Sequence, residues 1–215
     1  MLLPINPDHP EPRKIARAVE ALERGGVIAY PTDTVYGLGC DPRDKKAIDR
    51  LYQVKRMPRD HQLALLVPDL SQIATYAKVG DAQYRTMRSL VPGPYCFILP
   101  ASREAPKVLQ TKSKTIGLRV PDHPVARALL EAFGRPIIST SATWEGEVLF
   151  DPDEIDDHYD IDLVLDGGPG EQTPSTVIEL DDDGPHVIRV GKGALDRVLG
   201  IRPSLLPDLA RADEE

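Results

Sequence analysis

Val27-Ile28-Ala29-Tyr30-Pro31-Thr32-Asp33-Thr34-Val35-Tyr36-Gly37 decides how this chain is read, because four apolar residues run directly into a polar loop rich in hydroxyls. A short apolar run bounded by turn signals fits a strand buried on both faces. Upstream, Glu11 to Arg24 sets Ile15, Ala18, Val19 and Leu22 on one helical face, and Gly25-Gly26 supplies the stop. Downstream, Ala47, Ile48, Leu51, Tyr52 and Lys55 mark a second helix, followed by a loop at Met57-Pro58-Arg59-Asp60-His61 and a strand over Leu63–Val67. Weaker helical patterns run through Ile73 and Tyr76, and through Tyr84, Met87 and Leu90.

The second half is read in the same way. Tyr95–Leu99 and Thr115–Val120 are rich in β-branched or aromatic residues and bounded by prolines, as strands often are. Pro124 opens a helix that reaches Phe133 and ends at Gly134. Pro136-Ile137-Ile138-Ser139 is a short buried strand. Three more strands are expected around Leu163-Val164-Leu165, Thr176-Val177-Ile178 and His186-Val187-Ile188-Arg189, with a turn at Asp182-Asp183-Gly184. Strands and helices alternate early and strands cluster late, which predicts an α/β (α+β) fold with a mixed, twisted sheet flanked by helices. Its 215 residues suit one domain, expected over 1–202, with an acidic, frayed tail over 203–215.

Composition narrows the function. The net charge of -8 excludes indiscriminate coating of nucleic acid. It is unevenly spread: residues 1–120 hold 19 basic and 12 acidic residues, and the remainder 7 and 22, so the first part can carry an anion site. No apolar run approaches the roughly 20 residues that cross a bilayer, and Met1 to His9 lacks a basic and apolar leader. A cytoplasmic protein with no membrane partner is expected. Cys40 and Cys96 lie far apart in apolar or glycine-rich segments and read as buried structural thiols, without disulfide or metal spacing.

Four hydroxyl-rich stretches sit beside expected strand ends, where α/β proteins gather ligands: Pro31–Gly37, Lys112-Ser113-Lys114-Thr115, Ser139-Thr140-Ser141 and Pro174-Ser175-Thr176. Alone, each could merely close a turn or cap a helix; together they point to a site. Two basic clusters accompany them, one of Arg50, Lys55, Arg56 and Arg59, the other of Arg103, Lys107, Lys112, Lys114 and Arg119. Arg119 interrupts an apolar strand, so it needs a carboxylate, from the protein or from a ligand. Arg189, ahead of Gly191-Lys192-Gly193, invites the same reading. His61 lies beside the first cluster and is placed to meet phosphate, whereas His123 reads as a turn residue. Trp144 is placed either over the site or at the rim of the core. Dinucleotide-binding, P-loop and nucleophile-elbow motifs are absent, and the five histidines show no metal spacing.

Pro31-Thr32-Asp33-Thr34-Val35-Tyr36-Gly37-Leu38-Gly39, Val91-Pro92-Gly93-Pro94, Gly117-Leu118-Arg119-Val120-Pro121, Ser139-Thr140-Ser141-Ala142, Pro174-Ser175-Thr176-Val177 and Arg189 follow the order and spacing of the YrdC/YciO superfamily. The resemblance covers about residues 10–200. It implies a twisted α/β sheet with a concave, positively charged cleft. It also implies threonylcarbamoyl-AMP synthesis from L-threonine, bicarbonate and ATP with Mg²⁺, for the N6-threonylcarbamoyl modification of tRNA adenosine. On that basis Lys55 and Ser141 would be catalytic, and Thr34, Thr115, Arg119 and Ser175 would bind the amino acid. Lys55, Arg56, His61, Ser139, Ser141 and Arg189 would hold the nucleotide, and no protein-bound metal is implied.

The chain departs from the synthases at two pairs. A Lys-x-Arg pair is replaced by Lys55-Arg56-Met57, and a Ser-x-Asn pair by Ser141-Ala142-Thr143. His61 stands where synthases often have Asn. One residue along a helix turns a side chain by about 100°, so Arg56 is no automatic substitute for the missing arginine. These differences resemble the YciO branch. They leave two alternatives to synthesis: binding of tRNA or double-stranded RNA without synthase activity, or removal of the threonylcarbamoyl group from tRNA.

Overall fold

A computed structural model of the chain describes residues 1–59, 61–110 and 112–199. Its elements are β1 (Leu2–Pro4), α1 (Pro12–Glu23), β2 (Ile28–Tyr30), β3 (Gly37–Cys40), α2 (Lys45–Val54), β4 (Ala64–Leu66), α3 (Leu70–Tyr76), α4 (Asp81–Arg88), β5 (Tyr95–Pro100), β6 (Thr115–Arg119), α5 (Pro124–Phe133), β7 (Ile137–Ser141), β8 (Thr143–Trp144), β9 (Glu147–Val148), α6 (Pro152–His158), β10 (Leu163–Asp166), β11 (Thr176–Leu180), β12 (Pro185–Arg189) and α7 (Leu195–Leu199). The tail expected over 203–215 lies outside the described residues.

Ten strands make one sheet in the order β1-β10-β2-β3-β7-β4-β6-β5-β11-β12. The pairs β1/β10, β10/β2, β4/β6 and β5/β11 are parallel. The other neighbours are antiparallel, so the mixed α/β sheet expected from the sequence is the observed one. Side chains alternate between the two faces of a strand. In β2, Ile28 and Tyr30 enter one buried cluster and Ala29 the other; in β7, Ile137 and Ile138 divide in the same way. Helices α1 and α5 close the first cluster with Ile15, Ala18, Leu22, Leu129, Leu130 and Phe133. On the opposite face α2, α3 and α4 contribute Ile48, Leu51, Tyr52, Ile73 and Met87.

Local chemistry accounts for the helix ends. His123 caps α5 by accepting the Val125 amide on its ring Nδ1, Pro124 fills the first turn, and Gly134 closes the helix at φ 67°. His123 therefore does more than close a turn. Asp44 caps α2 through the Lys46 and Ala47 amides. At the other end, Arg56 sits at φ 50°, with its amide bonded to Gln53 O and the Met57 amide to Tyr52 O. That is a Schellman closure with arginine where glycine is usual.

Several elements escape a sequence reading. β3 falls inside the Pro31–Gly39 motif, and its glycines are demanded by packing: a Cβ on Gly39 would lie 2.7 Å from both Ile137 Cγ2 and Ile138 O. α6 hides in an acidic stretch, and β8 and β9 form a separate two-stranded hairpin.

Candidate functional site

The cleft lies where the helix layer stops. Register pairs Gly39 with Ser139, Ser139 with Ala64, Ala64 with Gly117 and Gly117 with Ile98, so these positions share one sheet face. It is the face that carries Leu66 and Ile137 into the α1/α5 cluster. Over β4, β6 and β5 no helix of the described residues covers it, and the small residues Ser139, Ala64 and Gly117 leave a depression of about 860 Å³. A volume of this size suits a small-molecule ligand of roughly 300–1,000 Å³ pockets. The parallel row of Leu66 with Arg119, and Cys96 with Val177 and Arg189, forms the rest of the floor.

Arg119 is the buried centre of the site, 8% exposed. Its Nη2 donates to Asp33 Oδ1 at 2.6 Å and its Nη1 to Thr34 Oγ1 at 2.8 Å. Thr32 braces the loop by donating its hydroxyl to Val35 O and accepting the Thr34 amide. Arg119 Nε and Asp33 Oδ2 are both buried without a hydrogen-bond partner among the described residues. Each unmade bond costs about 1–3 kcal/mol, so the pair is poised to trade partners with a ligand offering an acceptor and a donor. The carboxylate expected for Arg119 is thus Asp33.

Arg189 meets no carboxylate among the described residues, which leaves a ligand as the partner expected for it; it donates to Ser175 O at 2.8 Å and Ser175 Oγ at 3.3 Å. Burial and the neighbouring Arg119 guanidinium lower its pKa, with Cys96 acting in the opposite sense. An uncompensated cation on the floor is an anion site.

Lys55, at the end of α2, donates to Thr143 O at 2.5 Å and to Thr143 Oγ1 at 2.7 Å, and reaches Tyr159 Oη at 3.4 Å. None of these partners is charged, and burial lowers the Lys55 pKa to about 8. The lysine kept from the first pair is therefore held by the residue that departs in the second: Lys55 by Thr143. Arg56 lays its guanidinium 4.6 Å from the centre of the Trp144 ring. Trp144 stacks edge-on with His158 and Tyr159, which pins the β8–β9 hairpin beside the cleft. Tyr30 donates to Ser139 Oγ at 2.7 Å, leaving the Ser139 hydroxyl proton for another acceptor.

Of the residues expected at the site, Lys55, Arg56, His61, Arg119, Ser139, Ser141, Ser175 and Arg189 line the cleft together. Thr34 is buried and reaches the site through Arg119 rather than as a lining residue. Thr115 shares the face of Gly117 and Arg119, but it opens β6, opposite Pro100, and is not among the lining residues. Three of the four hydroxyl stretches therefore converge. Arg50 is spent on Asp162 and Arg59 on Asp49. Cys40 is a buried thiol pushed up to about 12 by burial, whereas Cys96 is only half-buried and lines the cleft. The sequence reading missed Glu145 and Gly146, because two-residue strands carry no periodicity, and Tyr159, which follows α6 in the acidic stretch.

The fold and site define a mixed α/β protein with a cationic, hydroxyl-lined cleft on a bare sheet face. The Sua5/YciO/YrdC family model, described as "Telomere recombination", matches residues 20–191, and the chain belongs to that family. It is 46% identical over 194 residues to the uncharacterized protein YciO of Escherichia coli (strain K12), covering 88% of this chain and 94% of that one. The crystal structure of E. coli YciO superposes with a TM-score of 0.88 over 92% of this chain and 98% of that chain, at 43% identity. A threonylcarbamoyl-AMP synthase of Escherichia coli O6:H1 is 41% identical over 135 residues, 61% of this chain and 71% of that protein. Sua5 of P. abyssi complexed with L-threonine superposes with a TM-score of 0.85 at 28% identity, over 94% of this chain and 63% of the Sua5 chain. Among the described residues, no helix is long and apolar enough to cross a membrane.

Proposed function

We propose that the cleft binds L-threonine and an adenine nucleotide and joins them as threonylcarbamoyl-AMP. The observation that carries this reading is the buried Arg119–Asp33–Thr34 cluster with its two unsatisfied atoms, one donor and one acceptor. An amino acid offers a matching carboxylate and ammonium group. The threonine-bound Sua5 relative supports the same ligand class.

In this reaction the carbamate formed from the threonine amino group and bicarbonate attacks the α-phosphorus of ATP, and the bond to pyrophosphate breaks. Arg119 orients the amino acid, Ser139 and Ser141 donate to the nucleotide, and Lys55 and Arg189 offset charge on the phosphates. No three His, Cys, Asp or Glu side chains group to hold a metal among the described residues. Mg²⁺ arriving on ATP would neutralise the phosphates, beside Lys55 and Arg189. Incubation with ATP, bicarbonate and labelled threonine tests the reading. An AMP-linked threonylcarbamoyl product supports it; none above a no-enzyme control refutes it.

A second reading follows from Lys55 being held by Thr143 while Met57 occupies the position of the second cation. This arrangement keeps the amino-acid half and weakens the phosphate half. It suits a threonylcarbamoyl group already attached to tRNA adenosine, which the protein would remove by hydrolysis: water adds to the carbamoyl carbon, the bond to the adenine N6 breaks and N6 takes a proton, leaving adenosine and the carbamate of threonine. Mass spectrometry of nucleosides from treated tRNA separates the two: loss of the modified nucleoside with no synthase product favours removal.

A further inference from the structure

Among the described residues that line the cleft, Glu145 is the sole carboxylate, set against Lys55, Arg56, Arg119 and Arg189. It makes no hydrogen bond or ion pair among the described residues. It is not on a loose loop. Glu145 and Gly146 form the two-residue turn between β8 and β9, at φ 50° and 92°. Two positive φ values mark a type I′ turn, whose first position normally falls to Asn, Asp or Gly. Glu145 is exposed at the tip of the hairpin, where a positive φ carries a steric cost for a non-glycine residue.

The hairpin is fixed at its base by the Leu149 amide on Ala142 O at 2.9 Å and along its side by the Arg56–Trp144 contact. Thr143, two residues before Glu145, holds Lys55. The same hairpin thus presents a carboxylate and grips the phosphate-seeking lysine. A free triphosphate entering this half of the cleft meets a like charge at the rim formed by the same hairpin. With Mg²⁺ aboard it loses two negative charges and offers a hard cation that a carboxylate oxygen can approach, directly or through water.

We propose that Glu145 is a specificity-determining residue of the cleft, which disfavours metal-free polyphosphate and admits the magnesium complex. This rests on the nucleotide-binding reading above. Titration calorimetry of the full chain with AMP, with ATP in EDTA and with ATP in excess Mg²⁺ tests it. In the native protein Mg²⁺ tightens ATP binding by about tenfold and leaves AMP nearly unchanged. Glu145→Gln binds metal-free ATP about three- to tenfold more tightly, and its gain from Mg²⁺ falls to within about twofold. Glu145→Asp, which keeps the charge and suits the turn, restores the metal dependence. An equal Mg²⁺ gain in the native and Glu145→Gln proteins overturns the proposal. So does ATP binding that is metal-independent in the native protein, which leaves the nucleotide reading standing. Failure of both proteins to bind AMP or ATP overturns the two together.

Discussion

Replacing Asp33 by Asn removes the only charge that compensates Arg119 among the described residues while keeping the shape of the side chain. The two side chains are 9% and 11% exposed and 2.6 Å apart, so water cannot take over the lost interaction. Breaking one partner of a buried pair typically costs about 3–5 kcal/mol. Thr34 and the more distant Thr32 still accept from the guanidinium, at 2.8 Å and 3.5 Å, which places this case near about 2–3 kcal/mol. For a chain of this size that corresponds to a fall in Tm of roughly 4–12 °C. Thermal and urea unfolding measure it. Asp33→Asn also removes the partner proposed for the ammonium group of the amino acid, so L-threonine at a fixed concentration should raise the Tm of the variant less than that of the native protein. A Tm within about 1 °C of native, or equal stabilisation by ligand, refutes the reasoning.

Four further outcomes are expected. The Lys55 pKa in the folded chain, about 8, lies below the ordinary lysine value, so the folded protein releases this proton earlier than the unfolded one. Lys55 therefore lends its charge to an anionic ligand below pH 8 and withdraws it above. AMP affinity measured by calorimetry should be flat at lower pH and fall as pH rises through about 8, and Lys55→Met should abolish that slope. Burial of its charge also makes the folded state gain stability relative to the unfolded between pH 8 and 10.5, a gain visible in urea unfolding and absent in Lys55→Met. Gly117→Ala adds a methyl to the floor whose nearest neighbour is Cys96 Sγ at 3.5 Å, an ordinary contact. The variant should fold with a native Tm yet lose most ligand binding, because the methyl occupies ligand space. Arg56→Gly relieves a positive-φ backbone worth about 1 kcal/mol and forfeits an exposed cation–π contact of about 0.5–1 kcal/mol. Stability should stay near native while AMP affinity drops; equal affinity would show that Arg56 serves only the fold.

Much of this arrangement is written in short-range chemistry. α5 is readable to the residue because His123, Pro124 and Gly134 each satisfy a helix-end requirement. The interior charge of Arg119 demanded a carboxylate, and Asp33 supplies it from 86 residues away. What escaped depends on long-range packing. Gly37-Leu38-Gly39-Cys40 forms a central strand because Tyr30 and Ile137 leave no room for side chains, which composition alone disguises as a loop. α6 buries only Pro152 and Ile155, too few for an apolar stripe amid its acids. Thr115 carries the same motif chemistry as the lining hydroxyls, yet its place at the start of β6 leaves it outside the cleft. The hairpin at Thr143–Val148, which brings Glu145 to the cleft and ties up Lys55, has strands too short for any pattern.

The central claim is that Arg119, Arg189 and the hydroxyls of β7 and Ser175 form one working ligand site. A crystal structure of the protein with L-threonine and AMP tests it most directly. The expected result is threonine with its carboxylate at Arg119 and its ammonium group at Asp33, and the nucleotide against Ser139, Ser141 and Arg189. Threonine and AMP bound away from these residues, or a cleft that holds neither at concentrations that saturate binding in solution, would contradict it.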